Sequence, residues 1–171
     1  DKSLFAFVWA QVFKREVIGN QLFLSERKYY MEDLLFDLGY YLKVKKFAVL
    51  DTPLYNYRVV AGSLTNSYRK DLFDKFNNLF DYIKKYMDDN GYGEKYERLY
   101  RRAFYLSIAA VKNVKAAPEL KRKEKKKKIL EISQNEYVQT AVKTLKFKGI
   151  KNKAFAFLLK IRAAGVILKL C

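Results

Sequence analysis

Residues 71–91 read DLFDKFNNLFDYIKKYMDDNG, and they decide the fold class. Leu72, Phe73, Phe76, Leu79, Phe80, Ile83, Tyr86 and Met87 recur at three- and four-residue spacing, the period of one helix face. Asn90-Gly91 then supplies a left-handed helix ending. The same period continues toward the C-terminus. A second helix over about 94–115 carries Leu99, Tyr100, Ala103, Phe104, Ser107, Ile108 and Val111 on one face. Pro118 opens a lysine-rich helix, since proline is tolerated in a first turn. A fourth helix, over about 135–146, carries Val138, Ala141, Val142 and Leu145. After Gly149, a last amphipathic segment places Ala154, Phe157, Leu158, Ile161, Gly165 and Leu168 together. There is no internal repeat. Each stripe must bury itself against another element, so the region is expected to be a helical assembly.

Upstream of residue 71 the pattern is mixed. A helix is expected over about 30–43, with Met31, Leu34, Leu35, Leu38, Tyr41 and Leu42 at helical spacing. Glu32 and Asp33 lie in its first turn and Lys43, Lys45 and Lys46 at its end, as the helix dipole favours. Phe47–Leu50 and Leu54–Val60 read as two short strands separated by Asp51-Thr52-Pro53, and Ala61-Gly62-Ser63 closes the unit. Phe5–Phe13 is too short and too apolar to assign by periodicity. The expected class is therefore mainly α (α+β). Residues 1–70 hold a short antiparallel strand pair with helices, and residues 71–171 form a helical region containing the basic segment 119–128.

Composition narrows the chemistry. The chain has 171 residues and 20.2 kDa, half of them hydrophobic and 16% aromatic, with only 7 Gly and 2 Pro. That is material for a packed core with long helices. There is no His, which excludes Ser-His-Asp and Cys-His catalysis and histidine-based zinc motifs. Cys171 is the one cysteine, so the chain forms no internal disulfide and no cysteine cluster for zinc or iron–sulfur. No apolar run is long enough for a membrane span. The start at Asp1-Lys2, without Met and without a signal-peptide pattern, leads us to expect a piece of a longer protein.

Charge is concentrated at one end. The net charge is +17, of which +11 lies in residues 119–171. The run Lys121, Arg122, Lys123, Glu124, Lys125, Lys126, Lys127, Lys128 attracts polyanions or forms a solvated helix face. Anionic membrane attraction is one expectation, because each lysine near an anionic leaflet contributes about 1 kcal/mol. One function class is thus a non-enzymatic basic helical module that binds a polyanion or an anionic membrane surface. A helical scaffold or oligomerisation domain is another. Nucleic acid is not expected, since the 14 Tyr follow the apolar stripes and are not interleaved with the lysines.

The candidates for chemistry lie in the first 70 residues: Glu32-Asp33, the lone Trp9, and Tyr55, Tyr57 and Arg58 leading to Ser63. From the residues alone, Glu32 and Asp33 are either a general-base pair or a helix-start charge pair. Tyr55 and Tyr57 would share a strand face, with Arg58 on the other. Order and spacing add a resemblance. The series is Trp9-Ala10-Gln11-Val12-Phe13-Lys14-Arg15, then Phe23, then Tyr30-Met31-Glu32-Asp33-Leu34-Leu35-Phe36. Pro53-Leu54-Tyr55-Asn56-Tyr57-Arg58 and Gly62-Ser63-Leu64-Thr65 complete it. It resembles the second half of a bacterial family 2 glycosyltransferase, over about residues 8–70.

The resemblance implies the acceptor side of a GT-A catalytic domain, acting on a nucleotide-sugar donor with inversion. It implies that Asp33 is the general base that deprotonates the acceptor hydroxyl, with Glu32 supporting it. It implies that Trp9 lines the acceptor side, and that Arg15, Tyr55, Tyr57, Arg58 and Ser63 frame the site. It further implies Mg or Mn in a full-length parent, held by an Asp-x-Asp of the donor half. This chain has no Asp-x-Asp, so none of its residues is expected to hold the metal. Gln11 stands where Lys is common in the family. The Gln-x-x-Arg-Trp signature of processive synthases is missing, so a non-processive enzyme of surface polysaccharide synthesis is expected. It would act on a glycan or lipid-linked acceptor, in the cytoplasm or at the inner membrane face, and this portion alone would be inactive.

Overall fold

In a computed structural model, residues 8–56, 58 and 68–170 are described. The chain divides into two compact units, the boundary falling between residues 67 and 68.

The first unit is small. A 3-10 turn at Val8–Ala10 is followed by α1 (Arg15–Ile18) and α2 (Glu32–Tyr41). Its core is aromatic. The Phe36 ring stacks on Phe23 at 4.2 Å and meets the Phe13 edge at 5.4 Å, and Phe13 in turn meets Tyr40 at 4.8 Å. Leu35, Phe36, Asp37 and Tyr40 are the buried face of α2. The expected helix is thus present, two residues shorter at each end and turned toward Phe36 and Tyr40.

The expected strand pair is not present. No strand occurs among the described residues, and 47–50 and 54–56 run without ladder partners. Phe47, Val49, Leu50 and Leu54 are exposed. A short apolar run favours a strand only when a sheet can bury it, and a lone two-stranded hairpin is marginal in water. Tyr57 and residues 59–60 of the second expected strand lie outside the described residues. The class is mainly α, with no β component among the described residues.

The second unit is helical: α3 (Leu72–Asp89), α4 (Tyr96–Ala116), α5 (Arg122–Gln134), α6 (Glu136–Thr144), α7 (Ile150–Lys160) and α8 (Ala164–Leu170). Helix α4 is central and packs on α3, α5 and α6; α7 lies on α6, and α8 on α5 and α7. Phe76, Leu79 and Phe80 of α3 and Phe104 and Val111 of α4 are all fully buried where these two helices pack. Helix α3 ends as its Asn-Gly suggests. Gly91 takes φ 72°, its N–H donates to Asp88 and the Tyr92 N–H donates to Met87, so the last carbonyls are satisfied.

Two expectations in this unit are corrected. Pro118 does not open a helix: it lies in the connector, and α5 starts at Arg122. Glu124 closes that helix start by accepting from the Lys121 N–H at 2.8 Å. The last segment does not present the expected continuous face, because it forms two helices. It breaks at Ile161–Arg162, where Arg162 takes φ 56°. Its buried residues are Phe155, Ala156, Leu159, Ala164 and Ile167, a neighbouring face to the one expected. Apolar residues populate both faces of AFAFLLKIRAAGVILKL, so periodicity does not choose between them. A buried Gln139 joins three helices here: its Nε2 donates to the Ser133 carbonyl at 2.6 Å and the Leu159 carbonyl at 3.0 Å. No helix among the described residues is long and apolar enough to cross a membrane.

Candidate functional site

The first unit holds the candidate residues that are described. Glu32 and Asp33 form the first turn of α2 and are half-buried. The chain enters that turn through Met31 in a left-handed conformation, φ 67°, rare for a side chain of this size. No side chain caps the helix start. Asp33 Oδ1 accepts from the Leu34 N–H at 2.8 Å, so the carboxylate folds onto the first turn, where the helix dipole favours an anion.

One turn further along, Asp37 is buried, with 1% of its surface exposed. Its Oδ2 accepts from Gln11 Nε2 at 2.9 Å, while its Oδ1 accepts no hydrogen bond among the described residues. Gln11 Oε1 in turn accepts from the Tyr41 hydroxyl. The chain Tyr41–Gln11–Asp37 therefore joins the segment after the 3-10 turn to α2. Burial pushes the Asp37 carboxyl up to about 6; the Gln11 bond opposes the rise and the Asp33 charge adds to it. Asp33 and Asp37 are thus two carboxyl groups one helical turn apart in different surroundings. Lys14 N–H donates to the Tyr40 hydroxyl at 2.9 Å, a second tie between these segments.

The 3-10 turn that carries Trp9 lies against α2. Trp9 and Tyr55, 46 residues apart, bring their rings to 4.7 Å at 31°. Both remain open to solvent, Trp9 at 39% and Tyr55 at 50%. At that separation the two rings partly cover each other, and the aromatic surface they leave exposed is of the kind on which the face of a sugar ring packs. Arg15 is the exposed first residue of α1, and Arg58 is exposed. Tyr57 and Ser63 lie outside the described residues.

Sequence reading missed Asp37. The signal was a carboxylate inside the apolar run Leu35-Phe36-Asp37-Leu38, four residues after Asp33. A charge at a core position calls for a partner, and Gln11, noted only for not being Lys, is that partner. Among the described residues no group of three or more acidic or thiol side chains gathers as metal ligands. The divalent ion implied for the donor diphosphate has no ligand set there, and no step below passes through it. No family model, curated protein or solved structure matches this chain.

Proposed function

We propose that residues 8–70 form the acceptor side of an inverting, non-processive glycosyltransferase. It would transfer a sugar from a nucleotide donor to a surface glycan or lipid-linked acceptor on the cytoplasmic side. The supporting observation is the Trp9–Tyr55 pair: two residues singled out by the resemblance, far apart in the chain, pack ring against ring and both stay partly exposed. In this reading the acceptor ring packs on that pair. Asp33, at the start of α2, takes the proton from the attacking hydroxyl as its oxygen bonds to the anomeric carbon and the nucleoside diphosphate leaves. Glu32 orients the group. Asp37 is not assigned the proton transfer, because it is buried against Gln11. The donor and its metal belong to a nucleotide-binding half outside these residues.

The test is Asp33→Asn in the parent enzyme, read as nucleoside diphosphate released with acceptor present. Loss of a general base should slow transfer by about 10²–10⁴-fold while the circular dichroism spectrum is unchanged. Turnover near that of the unaltered enzyme would end the assignment.

A further inference from the structure

The lysine-rich run is not one uniform solvated face. Lys125 turns back and donates to the Lys115 carbonyl at 2.6 Å. Arg122, Lys123, Lys126 and Lys127 turn the other way, into a groove of about 660 Å³ between α5 and α8, where Arg162 and Lys169 join them. Residues 40 positions apart in sequence thus build one cationic site. No acidic residue lines the groove, and none of the six cations pairs with a carboxylate among the described residues. Lys126 extends across α8: a Cβ at Gly165 would lie 3.2 Å from its Cε and 3.4 Å from its Nζ. Arg122 and Lys126, and Lys123 and Lys127, are like charges one turn apart, a spacing that opposes the helix until an anion sits between them.

The groove is also apolar. Val166 in its wall is 45% exposed, and Leu170, one turn on along α8, is 71% exposed. We propose that the α5–α8 face docks on an anionic phospholipid surface. The cations would meet lipid phosphates, and Val166 and Leu170 would enter the headgroup–acyl boundary. Two features favour lipid over nucleic acid. No aromatic residue lines the groove to stack on bases. Contact with duplex phosphates would leave Val166 and Leu170 in water. The proposal rests on the second unit and is independent of the glycosyl-transfer reading.

The test is co-sedimentation of the 171-residue chain with vesicles of phosphatidylcholine mixed with phosphatidylglycerol, against phosphatidylcholine alone. Binding should require the anionic lipid and weaken with salt. Lys126→Gln, Lys127→Gln and Arg162→Gln together should weaken it by about a hundredfold. The same number of changes at Lys143, Lys148 and Lys151, exposed and outside the groove, should weaken it far less. Val166→Gln should reduce binding to vesicles but not to a duplex oligonucleotide. Thermal melts certify that each variant is folded. Absence of vesicle binding, equal loss in the two triple variants, or displacement from vesicles by equimolar duplex overturns the proposal.

Discussion

Asp37→Asn should remove a pH-dependent weakness from the first unit. In the unfolded chain this carboxyl ionises near 3.8, and in the fold near 6. At pH below both values the proton is held in either state, and Asp37 adds no pH dependence. As pH rises between them, the unfolded chain releases a proton that the fold retains, so stability falls. Above about pH 6 the loss is complete, because the carboxylate is then ionised beside Asp33 with Oδ1 unpartnered among the described residues. The interval from 3.8 to about 6 corresponds to about 2–3 kcal/mol, allowing for solvent relaxation around so small a unit. Asparagine cannot ionise, but its amide places an unpaired N–H group in the site, at a cost of about 1–3 kcal/mol. That cost is the same at every pH, so the change in the gap between variant and wild type isolates the ionisation. The assay is urea unfolding followed by fluorescence of Trp9, the one tryptophan, which reports on the first unit. Between pH 4 and pH 7 the gap should move in favour of Asp37→Asn by about 2–3 kcal/mol. A constant gap, or a shift toward wild type, refutes the reasoning.

Two further predictions concern the second unit. Phe104 is fully buried, with Phe147 at 4.0 Å and Phe155 at 5.8 Å, so Phe104→Ala should cost about 3–5 kcal/mol in calorimetric stability. Asn135 caps α6 by accepting from the Tyr137 and Val138 N–H groups and also donates to Asn77 Oδ1 at 2.9 Å. Asn135→Ala should cost about 1–2 kcal/mol by thermal denaturation, and Asn135→Ser should restore most of it.

The helices were legible where one face alone is apolar. The stripe from Leu72 to Met87 is α3, and five of its eight positions are buried. Asn90-Gly91 marked the helix end because a left-handed residue there satisfies the last carbonyls. Legibility failed where two structures suit the same residues. The segment 150–170 has two usable apolar faces, and residues 47–56 hold short apolar runs set off by a turn, as strands are, without a sheet to join. In the candidate site, the acidic first turn of α2 follows from sequence, since charge and dipole act locally. The ties from Gln11 to Asp37 and from Trp9 to Tyr55 do not, because they depend on how segments 26 and 46 residues apart meet. The α5–α8 groove was hidden for the same reason: its cations come from both sides of α6 and α7.

Gln139 bears on the ambiguity of that last segment. Its amide nitrogen has both hydrogens committed, one to the carbonyl at the end of α5 and one to the carbonyl of Leu159 in α7. Rolling α7 so that Ala154, Phe155 and Leu158 took the places of Phe155, Ala156 and Leu159 would still offer an apolar surface to the core, so hydrophobic burial discriminates weakly between the two settings. The amide does discriminate, since a rolled helix would carry the Leu159 carbonyl away and leave a buried donor without an acceptor. One polar side chain thus acts as an index pin: it contributes modestly to how firmly the assembly holds together and decisively to which of two nearly degenerate settings it adopts.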